Sequence, residues 1–189
     1  MADPGPGLFY ALQDPRMEIV RYPDPRLRAR NAAVERFDED LAGVAREMFR
    51  LMYATKGVGL AAPQVGLNLR LMVFNAEGEE GRPDGERVLC NPRIVSRVRT
   101  KESDEEGCLS FPGIYGQVVR PTGVTVEAQD LEGKSRRLQL EGWEARVFLH
   151  EFDHLDGILF IDRMSPADRT RIRGQLADLE EAWRQRAQA

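Results

Sequence analysis

The sequence predicts an α+β fold in a single domain: small antiparallel or mixed sheets packed around one central helix, with a further helix at the C-terminal end. Three observations predict it. A helix-length amphipathic stretch comes early, several short apolar runs bounded by turn residues follow, and a second helix-length stretch comes only after them, so helices and strands are segregated. The length of 189 residues suits one core. No internal repeat or low-complexity tract divides the chain.

In chain order, residues 1–18 are read as a flexible lead-in, rich in Pro and Gly and without a basic, apolar leader pattern; residues 19–189 are read as the folded domain. Residues 37–53 form the first helix, with Leu41, Ala45, Met48 and Met52 on one stripe. Residues 57–66 (GVGLAAPQVG) follow as a glycine-rich loop. A third spaced glycine and a following helix are missing, which argues against a dinucleotide site. Residues 69–74 read as a strand, and 77–86 as an exposed loop. Further strands are expected at 87–90 and 94–98, on either side of Asn91-Pro92, then around Val118-Val119, at 123–128 and at 135–140. Ser165-Pro166-Ala167-Asp168 has the grammar of a helix start, with a capping hydroxyl, Pro at N1 and an acid at N3. Ile172, Leu176, Leu179 and Trp183 then supply one docking stripe.

The central helix is expected over residues 143–156, which contain neither Pro nor Gly and precede Gly157, a natural terminator. It carries the only two histidines of the chain, His150 and His154. Positions i and i+4 share a helical face, so both imidazoles can reach one metal ion. Glu151 sits about 100° round from His150, close enough to act on a water beside that ion. Ala145, Phe148, Phe152 and Leu155 gather on the opposite side and would face the core. Trp143 and Val147 project near the histidine direction as an apolar wall. A hydrogen-bonded structural pair of histidines is the competing reading.

A catalytic metal needs a third protein ligand and an open position. The segment 105–113 (EEGCLSFPG) supplies Cys108, held on an irregular path by its glycines and proline. As a thiolate, Cys108 completes a Cys, His, His set suited to Fe²⁺, Zn²⁺, Co²⁺ or Ni²⁺; as a small buried hydrophobe it would have no such role. Cys90, embedded in Val88-Leu89-Cys90, reads as core, and nothing marks a disulfide-stapled protein. Gln64 is the one long polar side chain in its loop and is either a loop-stabilising amide or part of the site. A net charge of −4 gives no reason to expect a nucleic-acid partner, and the apolar runs fall far short of a membrane span.

Three separated blocks now stand in order: Gly57 to Gln64 (GVGLAAPQ), Glu106 to Ser110 (EGCLS) and His150 to His154 (HEFDH). Together they resemble the three motifs of the peptide deformylases, most closely the branch of plant organelles and related bacterial enzymes. The resemblance runs from about Ile19 through the last helix. It implies one divalent metal per chain on Cys108, His150 and His154, with Fe²⁺ native and Zn²⁺, Ni²⁺ or Co²⁺ found in isolated protein. It further implies Glu151 as general base and then acid, and the Gln64 amide and Leu109 backbone N–H as oxyanion donors. Val58, Gly59, Gly113, Ile114 and Tyr115 become rails for an extended peptide, and Trp143 and Val147 the methionine pocket.

The implied activity is hydrolysis of the N-formyl group from N-formylmethionine on newly made polypeptides, releasing formate. The implied partners are nascent chains at or near the ribosome, in the cytoplasm of a bacterium or in the chloroplast or mitochondrion of a plant or alga. The oligomeric state is left open. A general metallopeptidase would share the HExxH chemistry but need a groove open on both sides of the metal; a metal-stabilised binding protein would not need Glu151. One residue departs from the family pattern: Leu149 stands where deformylases carry Gln. The helical wheel puts Leu149 on the flank of the site, where a lost hydrogen bond to a ligand is the expected consequence.

Overall fold

The computed structural model describes residues 17–78, 80–81 and 83–187. The lead-in expected at the start lies outside the described residues up to position 16. Helix α1 (Glu39–Ala54) opens on Asp38, whose side chain accepts from the Leu41 N–H, and buries Leu41, Val44, Ala45, Met48, Phe49 and Met52. Strands β1 (Gly59–Ala61), β2 (Leu71–Asn75), β3 (Glu86–Arg97), β6 (Gly123–Gln129) and β7 (Ser135–Glu141) form an antiparallel five-stranded sheet in the order β1-β2-β3-β6-β7. Strands β4 (Lys101–Cys108) and β5 (Phe111–Pro121) pair separately. Helix α2 (Gly142–Leu155) follows β7. The short helices α3 (Phe160–Arg163) and α4 (Pro166–Arg171) and the longer α5 (Arg173–Ala187) complete the chain.

Every residue of β2 is buried because both faces of the sheet are covered. Leu71 and Val73 pack with the α1 side of the core, whereas Met72 and Phe74 pack with Phe148, Leu149 and Leu155 of α2. This period-two division makes β2 a solid apolar run in the sequence. A third cluster joins Ile114 and Val118 of β5 to Phe160, Met164 and Ile172. No helix among the described residues is long and apolar enough to cross a membrane.

Three sequence expectations change. Residues 57–66 are not all loop: β1 pairs with β2, and Ala62–Val65 form a 3-10 turn. The two strands expected around Asn91-Pro92 are one strand, β3, with a register shift between Cys90 and Arg93. Asn91 sits at φ 52° and holds the irregularity by bonding Val34 N–H, Val34 C=O and Gln129 Oε1. Residues 101–108 form β4, where sequence reasoning left 101–104 unassigned and expected an irregular path from 105; its exposed side chains are charged except for Ser103, and only Glu106 is buried.

Helix α2 ends where expected. Its C-cap is Asp156, and Gly157 follows at φ 69° with its N–H donating to His154 C=O. A Cβ added at Gly157 would lie 3.0 Å from the Arg28 carbonyl oxygen. Ser165 caps α4 by accepting from Asp168 N–H. The stripe expected on the terminal helix spans the α4–α5 break: Ile172 is fully buried, while Leu176 and Leu179 pack partly against the third cluster.

Candidate active site

Helix α2 brings His150 and His154 to one face, with ring centroids 5.3 Å apart. Cys108 ends β4, where the ladder with β5 shifts register between Gly107 and Cys108. That shift turns the cysteine toward the helix, and its Sγ lies 3.3 Å from His154 Nε2. One ligand atom from each of Cys108, His150 and His154 lies within 4.8 Å of the others. A soft sulfur and two imidazole nitrogens at that spacing fit a four-coordinate divalent cation with one position left for water or substrate.

The ring of His150 is oriented from behind. Its Nδ1 lies 2.9 Å from Glu106 Oε2, so the N–H donates to the carboxylate and Nε2 is left for a metal. Glu106 also accepts from Arg120 Nε at 2.6 Å, Arg120 Nη2 at 2.9 Å and Arg146 Nη1 at 2.8 Å. Arg120 continues to Asp153 Oδ2 at 2.8 Å, and Arg163 closes the other side of Asp153. Burial opposes charge on Glu106, yet the hydrogen bonds from His150 and Arg120 outweigh it and hold its pKa down to about 2. Burial likewise opposes charge on His150, but Cys108 and Glu106 push it up to about 10. His154, buried and facing the positive His150 and Arg120, is pushed well below the ordinary value. The two imidazoles are thus shifted in opposite directions.

Glu151 lies under β1. A Cβ added at Gly59 would fall 2.5 Å from Glu151 Oε1, so only glycine allows this approach. Burial, ahead of the neighbouring charges, raises the pKa of Glu151 to about 7, the range of a useful general base. Its Oε2 has no hydrogen-bond partner among the described residues. One carboxylate oxygen is thus free to accept a proton.

The Gln64 amide braces its own loop and also reaches the cavity. Oε1 accepts from the Ala61 N–H at 2.8 Å and braces the 3-10 turn. Nε2 points the other way, 3.4 Å from Cys108 Sγ and 3.5 Å from Ser110 Oγ. The bracing fixes which way the amide donates.

All thirteen residues singled out from the sequence, His154 excepted, line one cavity of ≈ 680 Å³. His154 sits behind it, 1% exposed. Val147 is buried, whereas Trp143 is half exposed with its Nε1–H donating to Ala76 C=O at 3.0 Å. Val58, Gly59, Leu109, Gly113, Ile114 and Tyr115 also line the cavity. The carbonyls of Gly113 and Tyr115 are already taken by Gln175 Nε2 and Arg171 Nη2. Leu149 is buried in the α2–sheet cluster and does not line the cavity.

Glu106, Arg120, Asp153 and Arg146 were not singled out from the sequence. A signal did exist: Arg120 occupies an inward position of a strand that alternates Ile114, Gly116, Val118, Arg120, and a buried arginine requires a buried acid.

The chain matches the family model described as Polypeptide deformylase over residues 16–170. It is 51% identical over 170 residues to the chloroplastic peptide deformylase 1B of Oryza sativa, covering 90% of this chain and 63% of that one. It is 43% identical over 164 residues to the peptide deformylase of Acidobacterium capsulatum, covering 87% and 95%. Among solved structures, Arabidopsis thaliana peptide deformylase 1B with a bound inhibitor aligns at TM-score 0.88 and 48% identity, covering 92% and 95%. A Plasmodium falciparum peptide deformylase aligns at TM-score 0.86 and 45% identity, covering 88% and 97%. The chain spans 63%, 61% and 62% of the length of the three plant relatives from rice, tomato and Arabidopsis.

Proposed function

The chain belongs to the polypeptide deformylase family, and from that premise we propose that residues 19–189 form a catalytic domain that removes the N-formyl group from N-formylmethionine at the start of newly made polypeptides, releasing formate. The observation that carries the reading is the convergence of a Cys, His, His donor set with Glu151 and Gln64 at one cavity, lined by all of them but His154, which sits behind it, and by Trp143 and Val147. Cys108, His150 and His154 would hold one divalent metal, with Fe²⁺ as the native ion. Once bound, that cation would supply Lewis-acid activation of water and carbonyl.

The chain's own groups supply the rest. Glu151 accepts the proton of the attacking water on its free carboxylate oxygen, and the formyl carbon becomes tetrahedral. The developing oxyanion is met by Gln64 Nε2–H and the backbone N–H of Leu109. Glu151 then returns the proton to the departing amine, leaving a free N-terminus. Trp143 and Val147 bind the methionine side chain, while Val58, Gly59 and the 113–115 segment hold the peptide extended. The substrates are formylmethionyl nascent chains near the ribosome, in a bacterial cytoplasm or, for a plant or algal source, in the chloroplast or mitochondrion.

The test is formate release from a formyl-Met peptide by anaerobically Fe²⁺-loaded protein, set against cleavage of an internal peptide bond. Formate without internal cleavage is expected. Glu151→Gln should keep its metal while kcat/KM falls roughly 10²-fold or more. Internal cleavage at a comparable rate would instead make the chain a metallopeptidase, and full activity in Glu151→Gln would remove the general base.

A further inference from the structure

We infer that Arg21 and Lys56 form a cationic rim on the active-site cavity that favours substrates with an acidic side chain one or two residues after the formylated methionine. The inference rests on the deformylase reading above. Arg21 and Lys56 line the same cavity as Leu109, Trp143 and Val147. An extended peptide advances about 3.3–3.6 Å per residue, so residues after the methionine lie outside the metal pocket.

Both cations are fixed through their backbones. Val20 N–H donates to Gln64 C=O at 2.7 Å and Tyr22 N–H to Ser110 C=O at 3.0 Å, which ties the segment on either side of Arg21 to the two site-bearing loops. Val20 is buried and Tyr22 stacks on Phe111 in the third cluster, leaving Arg21 exposed. Lys56 sits at φ 58° with its N–H donating to Tyr53 C=O at 2.9 Å. It directly precedes Gly57, where an added Cβ would meet Leu109 Cδ1 at 2.8 Å. Lys56 is therefore one residue along the chain from the glycine that packs on the Leu109 side chain.

Most of the chain's arginines pair with a nearby acid, as in Arg28 with Asp162 or Arg50 with Glu47. Among the described residues, neither Arg21 nor Lys56 has a side-chain hydrogen bond or ion-pair partner. Of the other charged groups lining the cavity, Glu106 and Arg146 are buried against each other and Glu151 is buried beside the metal ligands. Glu105 is the one exposed acid. Two unpaired cations against one acid give the entrance a positive sign in a protein of net charge −4.

Exposed pairs are individually weak, so two together should favour an acidic over a neutral side chain by about three- to tenfold in kcat/KM. The experiment uses metal-loaded enzyme and C-terminally amidated formyl-Met tripeptides carrying Asp, Ser or Lys at the second or third residue; amidation removes a terminal carboxylate that would attract the same cations. Asp should exceed Ser, with Lys lowest, and the ratio should shrink toward one at about 0.5 M salt. Arg21→Gln with Lys56→Gln should collapse the Asp/Ser ratio toward one, and Arg21→Glu with Lys56→Glu should invert it. The same order is expected in calorimetric affinities for metal-loaded Glu151→Gln. An Asp/Ser ratio of one in the wild type, or a ratio unchanged in the double Gln variant, overturns the rim. Peptides bound with the Asp preference but never hydrolysed would overturn the deformylase reading and leave the rim standing.

Discussion

At the scale of single residues, the chain's two cysteines illustrate how position decides chemistry. Cys90 is fully buried, and burial pushes its thiol up to about 12, so it stays protonated and inert. Cys108 lies at the cavity edge beside two imidazoles. Cys108→Ala should therefore drop metal content from about one ion per chain to a small fraction, and Cys90→Ala should leave stoichiometry unchanged. Elemental analysis decides it, and full occupancy in Cys108→Ala would rule that residue out as a ligand. The sequence made this contrast legible because the two contexts differ: an apolar run for one, a Gly- and Pro-fixed turn for the other.

Leu149 gives a second residue-scale prediction. Its side chain packs among Met72, Phe74 and Phe148, while its carbonyl accepts from Arg120 Nη1 at 3.3 Å. Leu149→Gln would place an amide in that apolar cluster at a cost of about 1–3 kcal/mol where no partner is found. Because Leu149 does not line the cavity, KM should move less than metal retention or kcat. Thermal unfolding, metal dissociation and steady-state kinetics on both forms with one ion make the test. A large KM change alone would place the residue on the substrate side.

At the scale of elements, the site depends on how β4, β5 and α2 are joined through buried charge. Glu106 from β4 receives Arg120 from β5 and both Arg146 and His150 from α2. Glu106→Ala leaves two guanidinium groups without their shared acid, and breaking such a buried pair costs about 3–5 kcal/mol. It also frees the His150 ring, so metal affinity should fall about 10- to 100-fold. Asp104→Ala, on the exposed part of the same strand, should change stability by no more than about 0.5 kcal/mol. Denaturant titration with a metal-competition assay compares them; equal effects from both substitutions would refute the orienting role. Strand β4 itself was not legible, because residues 101–105 are all exposed and polar, four of the five charged, and only hydrogen bonding to β5 makes them a strand. The fully buried β2 and the amphipathic α1 and α2 were legible, since burial on defined faces writes a period into the sequence.

At the scale of the whole molecule, the metal centre joins segments that are far apart in the chain. Cys108 ends one sheet, while α2 packs its opposite face on the other, so a cation held by all three ligands would couple the β4–β5 pair to the five-stranded core. This joining could be foreseen only as a ligand set, because no local pattern states that residues 46 apart meet. A ligand that binds only the folded state adds stability by mass action, about 2.7 kcal/mol at a free concentration 100 times its Kd. For a domain of this size each kcal/mol moves Tm by about 2–4 °C. Stripping the metal with a chelator should therefore lower Tm by about 5–11 °C, and restoring Fe²⁺ or Zn²⁺ should recover it. Cys108→Ala should show neither the loss nor the recovery. Calorimetry on both proteins as loaded, stripped and restored makes the comparison, and an equal chelator response in Cys108→Ala would mean that the stabilising ion sits elsewhere than among Cys108, His150 and His154.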